Sequence, residues 1–316
     1  LFKITLAFLL PFLWVMAMVV NASASSLNGT TQNEDPYRVE QFSFEGRGNL
    51  EVQTSGGHIT VEGSKSNNVR VEMYVRKNGR YLTSADIDLD KYEIDISKSG
   101  NTVHAIARRK DRDNWRLWNN NNISISFKVY TPREISADLR TSGGHISVNG
   151  LDGNQNVRTS GGHLELMNLK GTVEARTSGG HIEIADFSGR MTARTSGGHI
   201  NLAHAEGDIE VRTSGGHISL DNTSGTVSAR TSGGSINADL QSIGRYVELR
   251  TSGGHVKVNV PGGIGLDLDL KGSRVKTKLQ NFSGEVEHDE VQGSINGGGP
   301  RLTARTSGGT VSISFY

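Results

Sequence analysis

Two side-chain types recur in this chain at a spacing that could do chemistry. Arginines stand at Arg140, Arg158, Arg176, Arg194, Arg212, Arg230 and Arg250, and histidines at His145, His163, His181, His199 and His217, resuming at His255 after Ser235. From Arg140 to Arg230 the interval is 18 residues every time. Guanidinium forks suit carboxylate and sulfate, so a row of them would recognise a linear anion such as an acidic polysaccharide or another envelope polymer. Adjacent imidazoles could capture a metal, but zinc needs nitrogens within about 2.1 Å, and stacked rings share an ion only by leaning together. Without cysteine or a regular acidic partner to complete a site, no metal or cofactor is expected. Neighbouring imidazolium and the arginines both disfavour protonation, so the histidines should titrate below the ordinary value of about 6.5. The residues also have a reading without any ligand: solvated side chains duplicated along with a good turn.

Catalytic arrangements are not evident. Asp152, Glu165, Glu183, Asp208 and Asp221 hold no common place in the repeat, whereas polysaccharide lyases and hydrolases need a local carboxylate or base cluster. Ser-Gly-Gly-His recurs too uniformly to be one tuned triad. The calcium-binding nonapeptide repeat needs Asp after its glycines, and here His or Ser follows. A polysaccharide-acting enzyme therefore ranks below a binding protein. Lysine and arginine total 34 against 33 acidic residues, which gives no global field to attract nucleic acid.

The elements that must position these columns follow from the repeated block Arg-Thr-Ser-Gly-Gly-His-Ile. Thr-Ser-Gly-Gly occurs nine times, at Thr54, Thr141, Thr159, Thr177, Thr195, Thr213, Thr231, Thr251 and Thr306. In residues 173–184, Val173, Ala175 and Thr177 fall on one side of a strand and Glu174 and Arg176 on the other. Gly179 and Gly180 then turn the chain, on the argument that glycine accepts positive φ. Ile182 and Ile184 follow on the apolar side, and a second turn carries Gly153, Gly171, Gly189, Gly207 or Gly225. Each unit is two short strands and two turns, and hides its apolar side only by stacking. The sequence thus predicts an all-β protein, a parallel β-solenoid of 18-residue coils, right-handed by the crossover rule, with both columns facing outward. Arg230 to Arg250 is 20 residues and predicts a bulged turn near Ser242–Tyr246.

The ends are less regular. Lys3, the apolar run Ile4–Val20 and Ala22-Ser23-Ala24 read as a signal peptide over 1–24, which implies export; a retained anchor is the alternative. Residues 25–36 read as a flexible lead-in. Residues 37–135 alternate apolar and polar less regularly, and Thr54 lies 87 residues before Thr141, so this region is not expected to be plain copies of the later coil. It includes a charged, Asn-rich loop with Trp115 and Trp118. The repeat solenoid is placed at 136–316. Degenerate coils are expected over 256–305, with Leu266, Leu268 and Leu270 as one inward row, and a last strand over 310–316.

The run SISFKVYTPREISADLRTSGGHISVNGL, with Pro132 after a strand and then SGG units, resembles the bacterial putative-adhesin domain family. The closing GSINGGGPRLTARTSGGTVSISFY is similar to that family's end. The resemblance implies a β-solenoid-like domain in an exported protein, periplasmic or at the cell surface. It supplies no site residues. The expected function is non-enzymatic, adhesin-like binding of an anionic glycan or envelope polymer through the Arg/His face, without stable membrane insertion once the signal is cut. The alternative is an assembly module that pairs end to end through unpaired backbone, with Phe315 and Tyr316 at the candidate edge.

Overall fold

The computed structural model describes residues 35–44, 46–87, 89–110 and 123–316. The signal peptide, nearly all of the lead-in and the Trp115/Trp118 loop lie outside the described residues. Every described element is a strand or a turn. The central repeats are parallel and in unbroken register: Leu164–Arg176 pairs with Ile182–Arg194, then Ile200–Arg212, then Ile218–Arg230. Stacked in this way, Ile182, Ile200 and Ile218 are wholly buried, as are Ala175, Ala193 and Val211.

Each repeat is one 13-residue strand folded at a corner, not two separate strands. Only one residue leaves the ladder at each corner: Asn168, Asp186, His204 or Asn222, with φ between 47° and 56°. Gly171, Gly189, Gly207 and Gly225 complete the bend at φ of 101–136°. The buried corner residues Leu169, Phe187, Ala205 and Thr223 plug its inner side. The 20-residue repeat keeps both flanking ladders and takes up its extra length as a register shift between Leu220 and Val227 against Ile236–Thr251.

All nine Thr-Ser-Gly-Gly blocks stand in one column. The strands around Thr54, Gly48–Thr54 and Ile59–Ser64, pair in parallel with Ile135–Arg140 and Ile146–Asn149, so the Thr54 coil is in register with the rest. The 87-residue interval is thus an insertion into the stack, and the region that holds it is not plain copies of the coil. Described strands of this insertion close that end of the stack: Thr102–Arg109 and Ile123–Pro132 lie in parallel on the Thr54 coil. Asn68–Lys77 runs antiparallel to Ile123–Pro132, and Tyr92–Ser99 antiparallel to Thr102–Arg109.

The other end has the same device. Arg301–Thr306 pairs in parallel with Ile236–Thr251 on one side and Leu266–Lys271 on the other. The Thr306 coil therefore sits inside the stack, and the chain segment before it lies outside. Residues 256–305 contain one such outer coil rather than several. Val256–Val260 stays in the parallel stack, and the other strands are antiparallel, Phe282–Val286 on Glu290–Ile295 and the latter on Leu266–Lys271. Leu266, Leu268 and Leu270 do form a buried row. Thr310–Phe315 bonds Val256–Val260 on one side, and Arg274–Lys276 covers Thr310–Ser312 on the other, so the candidate edge narrows to the residues after Ser312. Antiparallel strands at both ends replace the parallel edge that a bare stack would leave exposed.

Candidate functional site

The turn that carries the recurring residues interrupts the β-ladder, so its backbone groups need other partners. In the Thr195 turn, Thr195 N–H donates to Arg212 O at 3.0 Å, and Ser196 and Gly197 N–H both donate to Ser178 O, at 3.2 and 2.9 Å. The buried Thr195 hydroxyl donates to Gly180 O at 2.9 Å and accepts from Gly198 N–H at 3.3 Å. Ile200 N–H donates to His217 O at 3.0 Å. One donor remains, His199 N–H, and it reaches Nδ1 of His181, one coil below, at 2.8 Å.

The threonine contact to the coil below recurs at every block from Thr54 to Thr306. Val in place of Thr195 keeps the shape and strands both Gly180 O and Gly198 N–H. Leaving a buried group unpaired costs about 1–3 kcal/mol, so Thr195→Val should lower unfolding free energy by about 2–4 kcal/mol. Thr195→Ser should recover most of it. Denaturant titration of both variants checks this, and equal stability of Val and wild type would contradict it.

Gly179 and Gly180 do not have positive φ, contrary to the sequence argument. The second glycine is required by close approach. A Cβ at Gly180 would lie 1.8 Å from Gly162 O, and one at Gly198 would lie 1.9 Å from Gly180 O. The first glycine is under no such demand: the nearest atoms to a Cβ at Gly197 are at 3.7 Å.

The histidines form a ladder. His58, His145, His163, His181, His199 and His217 stack with centroids 4.8–5.2 Å apart and planes within 16°. Each Nδ1 accepts the backbone N–H of the residue one coil on, ending with Ser235 on His217. Ser235 Oγ takes the same role for His255 N–H, and His255 Nδ1 for Thr310 N–H. An accepting Nδ1 places the neutral ring's proton on Nε2. Partial burial, then the neighbouring rings, hold His163 and His199 below the ordinary imidazole value. Burial, His145 and Arg76 do the same at His58. The arginine column is not among the causes at His163 or His199.

Arg140, Arg158, Arg176, Arg194, Arg212, Arg230, Arg250 and Arg305 stand in register one coil apart, with Lys271 beyond them. They and the exposed Ser160, Ser178, Ser196, Ser214, Ser232 and Ser252 line one groove of about 1390 Å³ along the turns. The histidines do not line this groove.

Carboxylates two residues before the arginines divide them into pairs. Glu174 bridges Arg158 and Arg176 at 3.4 and 2.6 Å, and Glu210 bridges Arg194 and Arg212 at 2.9 Å each. Glu248 bridges Arg230 and Arg250. Although burial opposes it, the two guanidinium groups hold Glu248 below the usual carboxylate range. Asp138 serves Arg140, and Asp269 serves Arg305. Glu174 and Glu210 stand two residues before Arg176 and Arg212 in the sequence, but an 18-residue repeat does not single out Asp138, Glu248 or Asp269. The available signal is the residue two before each arginine, taken over two repeats instead of one. Nε of Arg158, Arg194 and Arg230 has no partner.

A family model described as Toastrack DUF4097 matches residues 15–314. No curated protein matches the chain. Among solved structures, the chain is similar to a putative adhesin from Bacteroides fragilis NCTC 9343, at 10% identity and TM-score 0.42, over 88% of this chain and 96% of that one. It is also similar to a putative lipid binding protein from Parabacteroides distasonis ATCC 8503, at 13% identity and TM-score 0.44, over 90% and 98%. A third is a putative cell adhesion protein from Clostridium sporogenes ATCC 15579, at 10% identity and TM-score 0.21, over 89% and 100%.

Proposed function

This chain belongs to the Toastrack DUF4097 family, and from that premise we propose that it is an exported, adhesin-like binding protein whose arginine groove holds a linear anionic polymer of the cell envelope or surface. The observation that carries this reading is the groove itself: eight arginines in register, one per coil, beside exposed serines. Five carboxylates serve those eight arginines, namely Asp138, Glu174, Glu210, Glu248 and Asp269. The surplus positive charge favours an extended polyanion lying across the coils, with arginine forks on its acidic groups and serine hydroxyls on its neutral ones. Binding of this kind weakens as salt screens it.

Replacing Arg176, Arg194 and Arg212 together with Gln should weaken binding of an acidic polysaccharide at least about tenfold, or 1.4 kcal/mol, and flatten its salt dependence. The fold should persist, because partly exposed ion pairs contribute only about 0–1 kcal/mol each. Titration calorimetry at two salt concentrations, with circular dichroism as the folding control, measures both effects. Unchanged binding by the folded triple variant would place the site elsewhere.

A further inference from the structure

The groove's charge does not repeat at the period of its arginines. Through the stack, the place two residues before each arginine reads Asp138, Asn156, Glu174, Thr192, Glu210 and Ser228. It continues through Glu248, Thr303 and Asp269. Acidic and neutral residues alternate from Asp138 to Asp269, although a cation, arginine or in the last coil Lys271, stands in every one of these coils; beyond them Glu51 lies beside Asp138 and ends the alternation. The arginines follow the same two-coil period. Arg158 and Arg194 reach forward to a glutamate on the next coil, while Arg176 and Arg212 use the glutamate on their own strand. The middle of the stack therefore carries one uncompensated positive charge per two coils, about 9.6 Å.

We infer that the groove selects a linear polysaccharide with an acidic group on alternate sugars. The inference rests on the anionic-polymer reading and adds to it the charge spacing of the ligand. An extended sugar chain advances by roughly one coil per residue. An acidic sugar over a neutral coil, such as that of Asn156 or Thr192, meets a guanidinium that only shares a glutamate with the next coil's arginine. The next sugar lies over Glu174 or Glu210, and an acidic group there would be repelled. The row of serine hydroxyls, one per coil, offers uncharged hydrogen bonding to that second sugar. Specificity comes from the repelling positions as much as from the attracting ones.

The test compares hyaluronan, with a carboxylate on every second sugar, against polygalacturonate, with one on every sugar, and neutral dextran, all of matched chain length at low salt. Hyaluronan should bind at least about tenfold tighter than polygalacturonate, and dextran should not bind. Replacing Glu174 and Glu210 with Gln should remove that preference by strengthening polygalacturonate. Replacing Asn156 and Thr192 with Glu should weaken hyaluronan about tenfold. Polygalacturonate binding as tightly as hyaluronan to wild type, with no change of preference in the Gln variant, would overturn the spacing and leave the anionic-polymer reading standing. Binding of neither acidic polymer would overturn both.

Discussion

Gly198→Ala should break the stack, whereas Gly197→Ala should leave it intact. The two glycines are adjacent in sequence and neither has positive φ, so backbone strain does not separate them. Space does. An added methyl at Gly198 would fall 1.9 Å from Gly180 O and 2.8 Å from His181 N. Those are backbone atoms of the neighbouring coil, and they are held there by the Thr195 hydroxyl. The coils must separate locally, and this loses the Thr195 and His199 contacts to the coil below together. A loss above about 4 kcal/mol belongs to this class of steric change in a packed interior. At Gly197 the methyl meets only ordinary contacts and should change stability by less than about 0.5 kcal/mol. In a one-dimensional stack the damage falls at one interface, so the Gly198 variant should also unfold in more than one step. Urea titration followed by circular dichroism decides: equal midpoints for the two alanine variants would contradict the close-approach account.

Acid should loosen the same column. Each Nδ1 in the histidine ladder accepts a backbone N–H, and a proton on Nδ1 removes the acceptor. The groups around it add little relief, since Glu183 alone favours the charged form of His163 while His145 and His181 oppose it. The folded protein holds His58, His163 and His199 below their unfolded value of 6.5, so the unfolded chain binds more protons as pH falls. The stability they contribute is present above pH 6.5 and is lost as pH drops through their lowered folded values. Thermal midpoints should therefore fall steadily from pH 7.5 to below 6, to an extent that grows with the number of histidines stacked. The chain contains its own control in Ser235, whose hydroxyl accepts the same bond without titrating. Replacing His163, His181 and His199 with Ser should flatten the profile over that range. A variant as acid-sensitive as wild type would show that the ladder is not the sensor.

Much of this architecture is legible in the sequence because a stacked repeat turns one-dimensional spacing into three-dimensional columns. Val173, Ala175, Ile182 and Ile184 alternate with Glu174, Arg176 and Glu183, and their burial follows that alternation. The position of the Thr54 and Thr306 blocks is not legible. The 87-residue interval after Thr54 does not fit the period, the 55-residue interval before Thr306 imitates three further coils, and only the strand pairings show both coils inside the stack. The reason for the second glycine is also hidden, because positive φ and close approach both demand the same residue. The sequence shows that histidine recurs but not that its Nδ1 closes the one unpaired donor of each turn. The alternating carboxylates were legible in principle: the pattern sits two residues before each arginine, at twice the repeat that the glycines announce.

A polyanion lying along the arginine column should perturb the guanidinium groups themselves. Titrating the protein with hyaluronan while following the arginine side-chain Nε–Hε resonances tests it directly. Progressive shifts are expected along the column from Arg158 to Arg250, as the ligand engages the terminal guanidinium nitrogens; Nε of Arg158, Arg194 and Arg230 is buried and senses binding through the same guanidinium group. The histidine ring resonances, outside the groove, should stay in place. Shifts confined to the histidines or to the antiparallel ends, with the arginines unmoved, would contradict it.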